Sequence, residues 1–269
     1  MSRRVAYPYV GWMAVFVAAP LLLVAAFALT GADGGFTFSN FADMLKYAPV
    51  FGRSIWLAFL ATLICLVIGF PAAYAISKEK PAVAAAAVAM FMLPMWMNFL
   101  LRTYAWMSIL EHNGLLNQLL NSLGLPSLNI INTNGAVVLG MVYNYLPFMI
   151  LPIHTVLHKM DKSLAEAAGD LGANPAKAFL RVILPLSLPG VLSGVTMVFV
   201  PSVSTFVISK LLGGGKTMML GDLIEMQFRG NAYNPYLGSA ISLVMMVMVL
   251  VSMTLMNRFG DGEESAVMM

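Results

Sequence analysis

The chain has 269 residues, of which 60% are hydrophobic and 10% are charged, and its formal net charge is +3. Because soluble domains average about 25% charged residues, this composition excludes an ordinary soluble protein and indicates a helical integral membrane protein. The small net charge does not favour nucleic-acid binding or an acidic target, and one cysteine, Cys65, allows no internal disulfide and suggests no metal cluster.

Six apolar stretches of about twenty residues predict six membrane-spanning helices in a single domain of residues 1–269. The first stretch follows Arg3 and Arg4, but it is too long for a cleaved signal segment and is interpreted as a span. The predicted spans cover residues 10–30, 54–76, 82–101, 136–157, 188–209 and 237–256.

The positive charges predict the orientation of these spans. Six spans place both termini on one side, and with the termini inside, nine Lys and Arg residues lie in inner segments and six in outer segments. This arrangement predicts cytoplasmic termini and a cytoplasmic loop over residues 158–187. The inner residues are Arg3, Arg4, Lys78, Lys80, Lys159, Lys162, Lys177, Arg181 and Arg258; the outer ones are Lys46, Arg53, Arg102, Lys210, Lys216 and Arg229.

The polar part of that loop predicts two short helices joined at a glycine. Ser163 and Glu166 have the spacing of a capping box at the start of the first helix. Gly172 stands where this helix would stop, and Asn174, followed by proline, offers the N-cap of the second. Pro185 is expected to end or kink the second helix. The first helix carries acidic residues and the second carries basic ones.

A run of three glycines before Lys216 and Thr217 resembles the end of a phosphate-binding loop. The full motif needs another glycine five residues before Gly215, where Lys210 stands instead. Because the run also follows a span on the predicted outer face, it is interpreted as a flexible external turn.

His154 and His158 are four residues apart near the inner end of the fourth predicted span. This spacing can bind zinc on a helix, but no third ligand is evident and the glutamate of a zinc-protease helix is absent. They are interpreted as interface histidines, with no metal site.

Three carboxylates in the predicted outer segments are candidates for attracting a cation. Asp222 and Glu225 lie in the last outer loop, and Glu111 lies in the long connection after the third span. The alternative, that they are solvated loop charges, stays open at this point.

The loop carries a signature made of Glu166-Ala167-Ala168, then Gly172, then Val182-Ile183-Leu184-Pro185. It resembles the cytoplasmic-loop signature of permeases of bacterial binding-protein-dependent ABC importers, which reads Glu-Ala-Ala, three residues, Gly, nine residues, and Ile-x-Leu-Pro. Val182 in place of isoleucine is a mild departure.

The rest of the chain is similar to the first permease subunit of spermidine/putrescine importers. Permeases for thiamine, ferric iron and opines share some of these stretches, so a related substrate remains the alternative. The stretches are residues 36–41, Leu93-Pro94-Met95-Trp96, Leu101-Arg102-Thr103-Tyr104, Tyr145-Leu146-Pro147-Phe148-Met149 and Leu212-Gly213-Gly214.

The resemblance implies an all-α permease of the type I ABC importer fold, in the bacterial inner membrane and surrounded by lipid. Its partners would be a second, different permease, an extracytoplasmic binding protein and two ATP-binding cassette subunits that bind and hydrolyse ATP, so no cofactor and no catalytic residue is expected in this chain. Glu166, Ala167, Ala168, Asp170, Gly172 and Pro185 would couple it to the ATPases, and Asp222, Glu225 and Glu111 would contact a polycationic substrate.

Two other classes compete with this interpretation. A secondary transporter or channel would use ionisable residues inside spans, whereas the charges here lie almost wholly in loops. A membrane-embedded enzyme would need a convergent set of Asp, His, Ser or Cys side chains, and only the histidine pair offers a trace of one.

Overall fold

The computed structural model describes residues 7–31, 33–161, 163–230 and 232–267, and the regular secondary structure of this part is helical apart from one isolated bridge between Thr30 and Phe36. Two π-helical turns (Ala14–Ala18 and Phe179–Ile183) and one 3-10 turn (Leu45–Tyr47) interrupt the α-helices. The α-helices are α1 (Tyr7–Met13), α2 (Ala19–Ala28), α3 (Ser39–Met44), α4 (Ala48–Ser77), α5 (Pro81–Trp96), α6 (Phe99–Leu110), α7 (Leu115–Ser122), α8 (Asn134–Lys159), α9 (Ser163–Asp170), α10 (Pro175–Ala178), α11 (Leu184–Ser204), α12 (Val207–Leu212), α13 (Leu220–Arg229) and α14 (Pro235–Val267).

Five helical segments of the described chain are long and apolar enough to cross a membrane, and a bent pair, α5 with α6–α7, makes a sixth if it counts as one span. The all-α class predicted from composition is therefore confirmed. The five segments are Tyr7–Ala28, Ser39–Ser77, Asn134–Lys159, Pro175–Ser204 and Pro235–Met256.

The third predicted span, residues 82–101, is not one straight helix. Helix α5 ends at Trp96, α6 begins at Phe99, and the chain bends by 90° between them. Pro94 weakens the last turn of α5 because it has no N–H to donate. Asn98 then starts a new helix: its Oδ1 accepts hydrogen bonds from the backbone N–H groups of Leu100 (2.9 Å) and Leu101 (3.4 Å).

The fifth predicted span, residues 188–209, differs from the observed helix at both ends. Helical structure runs from Pro175 to Ser204, and the chain breaks at Thr205, whose backbone is extended, before α12 begins. The broken segment leaves α12 as a separate short helix beside α13.

Helices α4, α8 and α11 form the centre of the molecule, and glycines allow their close approach. A Cβ added to Gly190 would lie 2.9 Å from the carbonyl oxygen of Pro152 and 3.1 Å from the Cα of Ile153. A Cβ on Gly69 would lie 3.0 Å from Cγ of Met149. Small residues at helix crossings are the usual means of close packing between membrane helices.

This packing predicts that Gly190→Ala destabilises the protein. The added methyl group meets backbone atoms of α8 that cannot move aside, and overpacking of this kind costs about 1–3 kcal/mol. The measurement is the apparent Tm of the purified protein in detergent, which we expect to fall by several degrees.

Gly52→Ala in α4 is the matched control, since no heavy atom lies within 4 Å of its added Cβ. An equal fall in Tm for both variants would show that α8 and α11 do not depend on this close approach.

Candidate functional site

The glycine elbow between α9 and α10 has the predicted geometry. Gly172 has a φ of +81°, and the chain closes α9 with two hydrogen bonds, from the N–H of Gly172 to the carbonyl of Gly169 (2.8 Å) and from Ala173 to Ala168 (3.0 Å). This pair of bonds is a Schellman motif, which favours glycine because its φ is positive. Asn174 then caps α10, since its Oδ1 accepts from the N–H of Lys177 at 2.8 Å.

The start of α9 differs from the predicted capping box. Ser163 is the first helical residue rather than the N-cap, and its backbone N–H donates to Oδ1 of Asp161 at 2.9 Å. This hydrogen bond lowers the pKa of Asp161 below its usual range. Asp161, two residues before Ser163, therefore satisfies a free N–H at the start of α9, where the sequence predicted a capping box of Ser163 and Glu166.

Pro185, which was expected to end or kink the second helix, does not end it. The helix passes through the π-helical turn Phe179–Ile183, in which the N–H of Leu184 bonds the carbonyl of Phe179 five residues earlier, and it continues as α11. A proline ring clashes with the carbonyl four residues before it in an α-helix, and the wider π-turn makes room for that ring. Helices α10 and α11 are consequently one continuous rod that leads from the loop into the centre of the molecule.

Phe179 ties this rod to α4. Its ring packs edge-on against Phe70 and Tyr74, with ring centroids 5.7 Å and 5.3 Å away. The ammonium of Lys78 lies over the Tyr74 ring, 4.2 Å from its centroid. Aromatic pairs of this geometry stabilise contacts beyond the area they bury, so the π-turn is held firmly against the end of α4.

The described residues leave the apolar side of α9, defined by Leu164 and Leu171, uncovered. Leu171, next to the elbow, is 89% exposed and Leu164 is 45% exposed, while Glu166, Ala167 and Asp170 are also exposed. Leu171 is not among the site residues predicted from the sequence. The signal was present: an apolar residue lies on the apolar stripe of a short helix immediately before its terminating glycine.

The charges of the loop surround two concave surfaces. Glu166 lines a cavity of about 420 Å³ together with Lys78 and Asp161. Lys177 and Arg181 line a second hollow, of about 310 Å³, beside Gly172. Glu166 of the acidic helix thus lies near the end of α4, and the basic residues border the elbow.

A separate cavity of about 300 Å³ lies between α12 and α13, and two of the three predicted path carboxylates line it. Glu225 is engaged there by Lys210, whose Nζ lies 3.2 Å from Oε1 and 3.0 Å from Oε2. Asp222 accepts from the backbone N–H of Met219 at 2.8 Å and caps α13. Arg229 also lines the cavity, so the cavity has two acidic side chains, Asp222 and Glu225, and two basic ones, Lys210 and Arg229.

The surroundings of Asp222 alter its ionisation. Burial raises the pKa of this carboxyl, while hydrogen bonds from Ser209 and Met219 and the charge of Lys210 act in the opposite direction. Glu111 is not part of this cavity: it follows α6, is exposed, and its backbone carbonyl accepts from Gly114 and from the side chain of Asn117. The structure therefore brings Asp222 and Glu225 together but not Glu111.

The glycine run is tied to other helices, in contrast to the flexible turn expected. Thr217 Oγ1 donates to Asn134 Oδ1 at 2.9 Å, and Nη1 of Arg53 donates to the carbonyl of Lys216 at 3.3 Å. The glycines follow α12 rather than open a helix, so the arrangement is not that of a phosphate-binding loop.

His154 and His158 stack with ring centroids 5.5 Å apart. Among the described residues, no group of three or more His, Cys, Asp or Glu side chains could hold a metal ion. The pair therefore lacks the additional protein ligands that a structural or catalytic zinc site needs.

Comparison with known proteins decides the family. Residues 1–262 match the family described as "Binding-protein-dependent transport system inner membrane component". The chain belongs to this family. Permeases of this kind work with a substrate-binding protein and with ATPase partners, and they are membrane transport components rather than hydrolases.

Two curated relatives of this permease carry the name spermidine/putrescine transport system permease protein PotB. The protein from Haemophilus influenzae is 38% identical over 248 residues, which are 88% of this chain and 86% of the relative. The protein from Escherichia coli K12 is 36% identical over 250 residues, 89% of this chain and 90% of the relative.

A solved structure shares the fold of this permease. A chain of a bacterial ABC transporter involved in the import of the acidic polysaccharide alginate superposes with a TM-score of 0.80 at 15% identity, covering 94% of this chain and 92% of that one. The type I importer permease fold expected from the resemblance is confirmed.

The elbow predicts a graded response to substitution of Gly172. No heavy atom lies within 4 Å of a Cβ added there, so the penalty of Gly172→Val comes from the positive φ alone, at roughly 1–2 kcal/mol. We expect ATP-driven uptake by the reconstituted importer to fall strongly with Gly172→Val and less with Gly172→Asn, since asparagine tolerates this conformation.

Gly169→Ala is the control, because Gly169 is also free of neighbours but lies inside α9 without a positive φ. Equal loss of uptake in the Asn and Val variants would show that the conformation of the elbow is not what matters.

Proposed function

We propose that this chain is the transmembrane permease subunit of an ATP-driven importer of polyamines, spermidine and putrescine. The observation that carries the proposal is the 36–38% identity, over nearly nine-tenths of the chain, to permeases whose names specify these substrates. The second candidate is the same type of importer for another small cationic or organic solute such as thiamine, ferric iron or an opine.

The proposed assembly is heteromeric. This chain pairs with a second, different permease, receives substrate from an extracytoplasmic binding protein, and is driven by two ATP-binding cassette subunits that bind and hydrolyse ATP. Both termini are in the cytoplasm, which places the elbow at Gly172 on the side of the ATPases. The excess of Lys and Arg in the inner segments supports this orientation.

The coupling site is α9 with the elbow: Glu166, Ala167, Ala168, Asp170 and Gly172. The uncovered apolar side of α9 supports docking in a groove on an ATPase subunit, with Leu171 as the anchor because it is an almost fully exposed leucine beside a rigid turn. The alanines add little bulk, so the helix can seat closely. Glu166 and Asp170, together with the basic residues at the elbow, supply charges to the rim of the interface.

Movement passes from the docked helix through the continuous rod that contains Pro185. The rod meets α4 at Phe179 and packs along α8 further on, so a push at the elbow acts on all three central helices together. Rigid-body rocking of packed helices is a common form of such transitions. ATP-driven closure of the ATPases would thus alternate the access of the substrate path.

The proposed substrate contacts are the carboxylates of Asp222 and Glu225, with Glu111 further out in the connection after α6. A polyamine carries ammonium groups, which pair with carboxylates. Lys210 already forms an ion pair with Glu225, so a substrate ammonium would have to displace the lysine. The free-energy cost of this exchange is small, since partly exposed ion pairs contribute about 0–1 kcal/mol.

Uptake measurements test the function. With the cognate binding protein, we expect the reconstituted importer to take up radiolabelled spermidine in an ATP-dependent manner, with putrescine competing and thiamine not competing. Thiamine or opine uptake without spermidine uptake would favour the second candidate.

In the same assay, Asp222→Asn combined with Glu225→Gln tests the substrate path. Loss of carboxylate charge should lower spermidine uptake at least several-fold while leaving the subunits associated. Unchanged uptake in a stably assembled double variant would remove both residues from the path.

The contact of Phe179 with α4 predicts uncoupling in Phe179→Ala. This change removes both edge-on ring contacts, worth about 0.5–1.5 kcal/mol each beyond the buried area. We expect the ATPase subunits to remain bound and ATP hydrolysis to continue, while uptake per ATP falls severely.

Leu180→Ala is the matched control, because this neighbouring side chain in the same π-turn is 59% exposed. If Phe179→Ala kept the wild-type ratio of uptake to hydrolysis, the rod would not act on α4 through this ring.

A further inference from the structure

The first turn of α13 is hydrogen-bonded to α4 through Ser54. The backbone N–H of Leu220, the first residue of α13, donates to Oγ of Ser54 at 2.8 Å, and both residues are fully buried. The first N–H groups of a helix have no partner within that helix, so Ser54 satisfies one that would otherwise be buried without a bond. The bond joins residues that are 166 positions apart in the sequence. It therefore fixes α13 to a distant helix instead of closing it locally.

The next residue of the same turn touches the break between α11 and α12. A Cβ added to Gly221 would lie 2.5 Å from the carbonyl oxygen of Ser204 and 2.6 Å from that of Thr205. Glycine thus allows the backbone of α13 to approach the end of α11. Leu220 and Gly221, together with Ser54 of α4 and Ser204 of α11 that they contact, are called the outer joint below.

The two helices that meet at the outer joint also meet near the elbow. Phe179, in the rod that continues as α11, packs against Phe70 and Tyr74 of α4. Tyr74 lies about 30 Å from Ser54 along α4 at 1.5 Å per residue, which is roughly the thickness of the hydrocarbon core of a bilayer. Helix α4 and the rod are therefore connected at both ends, by aromatic rings beside the coupling loop and by the first turn of α13 at the far end.

The outer joint is continuous with the wall of the cavity between α12 and α13. Asp222 follows Gly221 directly and lines this cavity, and its Oδ2 accepts from the N–H of Met219, the residue before Leu220. Met218 lines the cavity on the other side of the joint in sequence. Because these residues belong to one capped helical turn, a shift of Leu220 would also move the carboxylate of Asp222.

We propose that Ser54 is a positioning residue for transport. It keeps the first turn of α13 on α4, so that ATP-driven displacement of α4 against the rod changes the position of Asp222 in the cavity. The inference rests on the proposed function for the roles of Asp222 and of the ATPases. A second hydrogen bond to α4, from Arg53 to the carbonyl of Lys216, is longer at 3.3 Å and joins exposed residues, so water can replace it. The bond to Ser54 is enclosed, and its loss leaves a buried N–H without a partner.

Cysteine labelling of the reconstituted importer tests this movement whatever the substrate is. Cys65 is the only cysteine of the chain and is fully buried, so Met218→Cys adds one accessible thiol beside the outer joint. We expect its labelling rate with a membrane-impermeant maleimide to differ several-fold between the ATP-free and the vanadate-trapped states. Ser54→Ala, which removes one oxygen and adds no bulk, should make the two rates nearly equal while the subunits stay associated. Equal rates with Ser54 present, or an undiminished difference in Ser54→Ala, would overturn the proposal.

Ser202→Ala is the matched control, because Ser202 is also fully buried but its hydroxyl donates within its own helix, to the carbonyl of Val198 at 2.6 Å. It should keep the difference in labelling, and an equal loss in both variants would show that Ser54 has only a structural role.

Uptake per ATP hydrolysed tests whether Ser54 acts through Asp222. Ser54→Ala should lower this ratio several-fold in the otherwise unchanged importer and should lower it no further in an Asp222→Asn background, since the carboxylate that it positions is then absent. Two effects that multiply would show that Ser54 acts elsewhere and would also overturn the proposal. Absence of spermidine uptake by the unaltered importer would instead refute the proposed substrate, and the labelling result would still stand.

Discussion

The fold depends on one constraint: inside a membrane, each backbone N–H and carbonyl must find its partner within the protein, because hydrocarbon offers no water. Every proline or break in a helix therefore needs a local solution. At the α5–α6 corner the solution is the side chain of Asn98, which accepts from two free N–H groups. At Pro185 it is a π-turn. The elbow lies in the polar loop rather than in an apolar span, and there a Schellman motif at Gly172 satisfies the end of α9.

The same constraint explains which features the sequence predicts. Local signals suffice for the elbow, since the positive φ of Gly172 and the cap by Asn174 are decided within a few residues. The apolar runs likewise identify the helices, because length and hydropathy are properties of the segment itself. The apolar side of α9 could also have been predicted, since Leu164 and Leu171 form an apolar stripe on a short polar segment.

Other features depend on contacts that sequence patterns do not contain. A proline inside an apolar run is compatible with an end, a kink or a π-turn, and the packing of Phe179 on α4 favours the last at Pro185. A polar residue such as Asn98 can lie within a span or cap a new helix. Which of the two occurs depends on the path of the chain around it. The candidate site shows the same limit: charge type suggested Asp222 and Glu225, and the cap of α13 by Asp222 is local, but the pairing of Glu225 with Lys210 on α12 is a tertiary contact.

Exposed side chains differ in what they indicate about partners. A surface pair such as Lys210–Glu225 can form or break at small cost, so it says little about partners. Leu171 indicates more, because it stands beside the turn fixed by Gly172 and the described residues leave 89% of it exposed. In the proposed assembly, this exposed leucine would dock on an ATPase subunit and follow its movement.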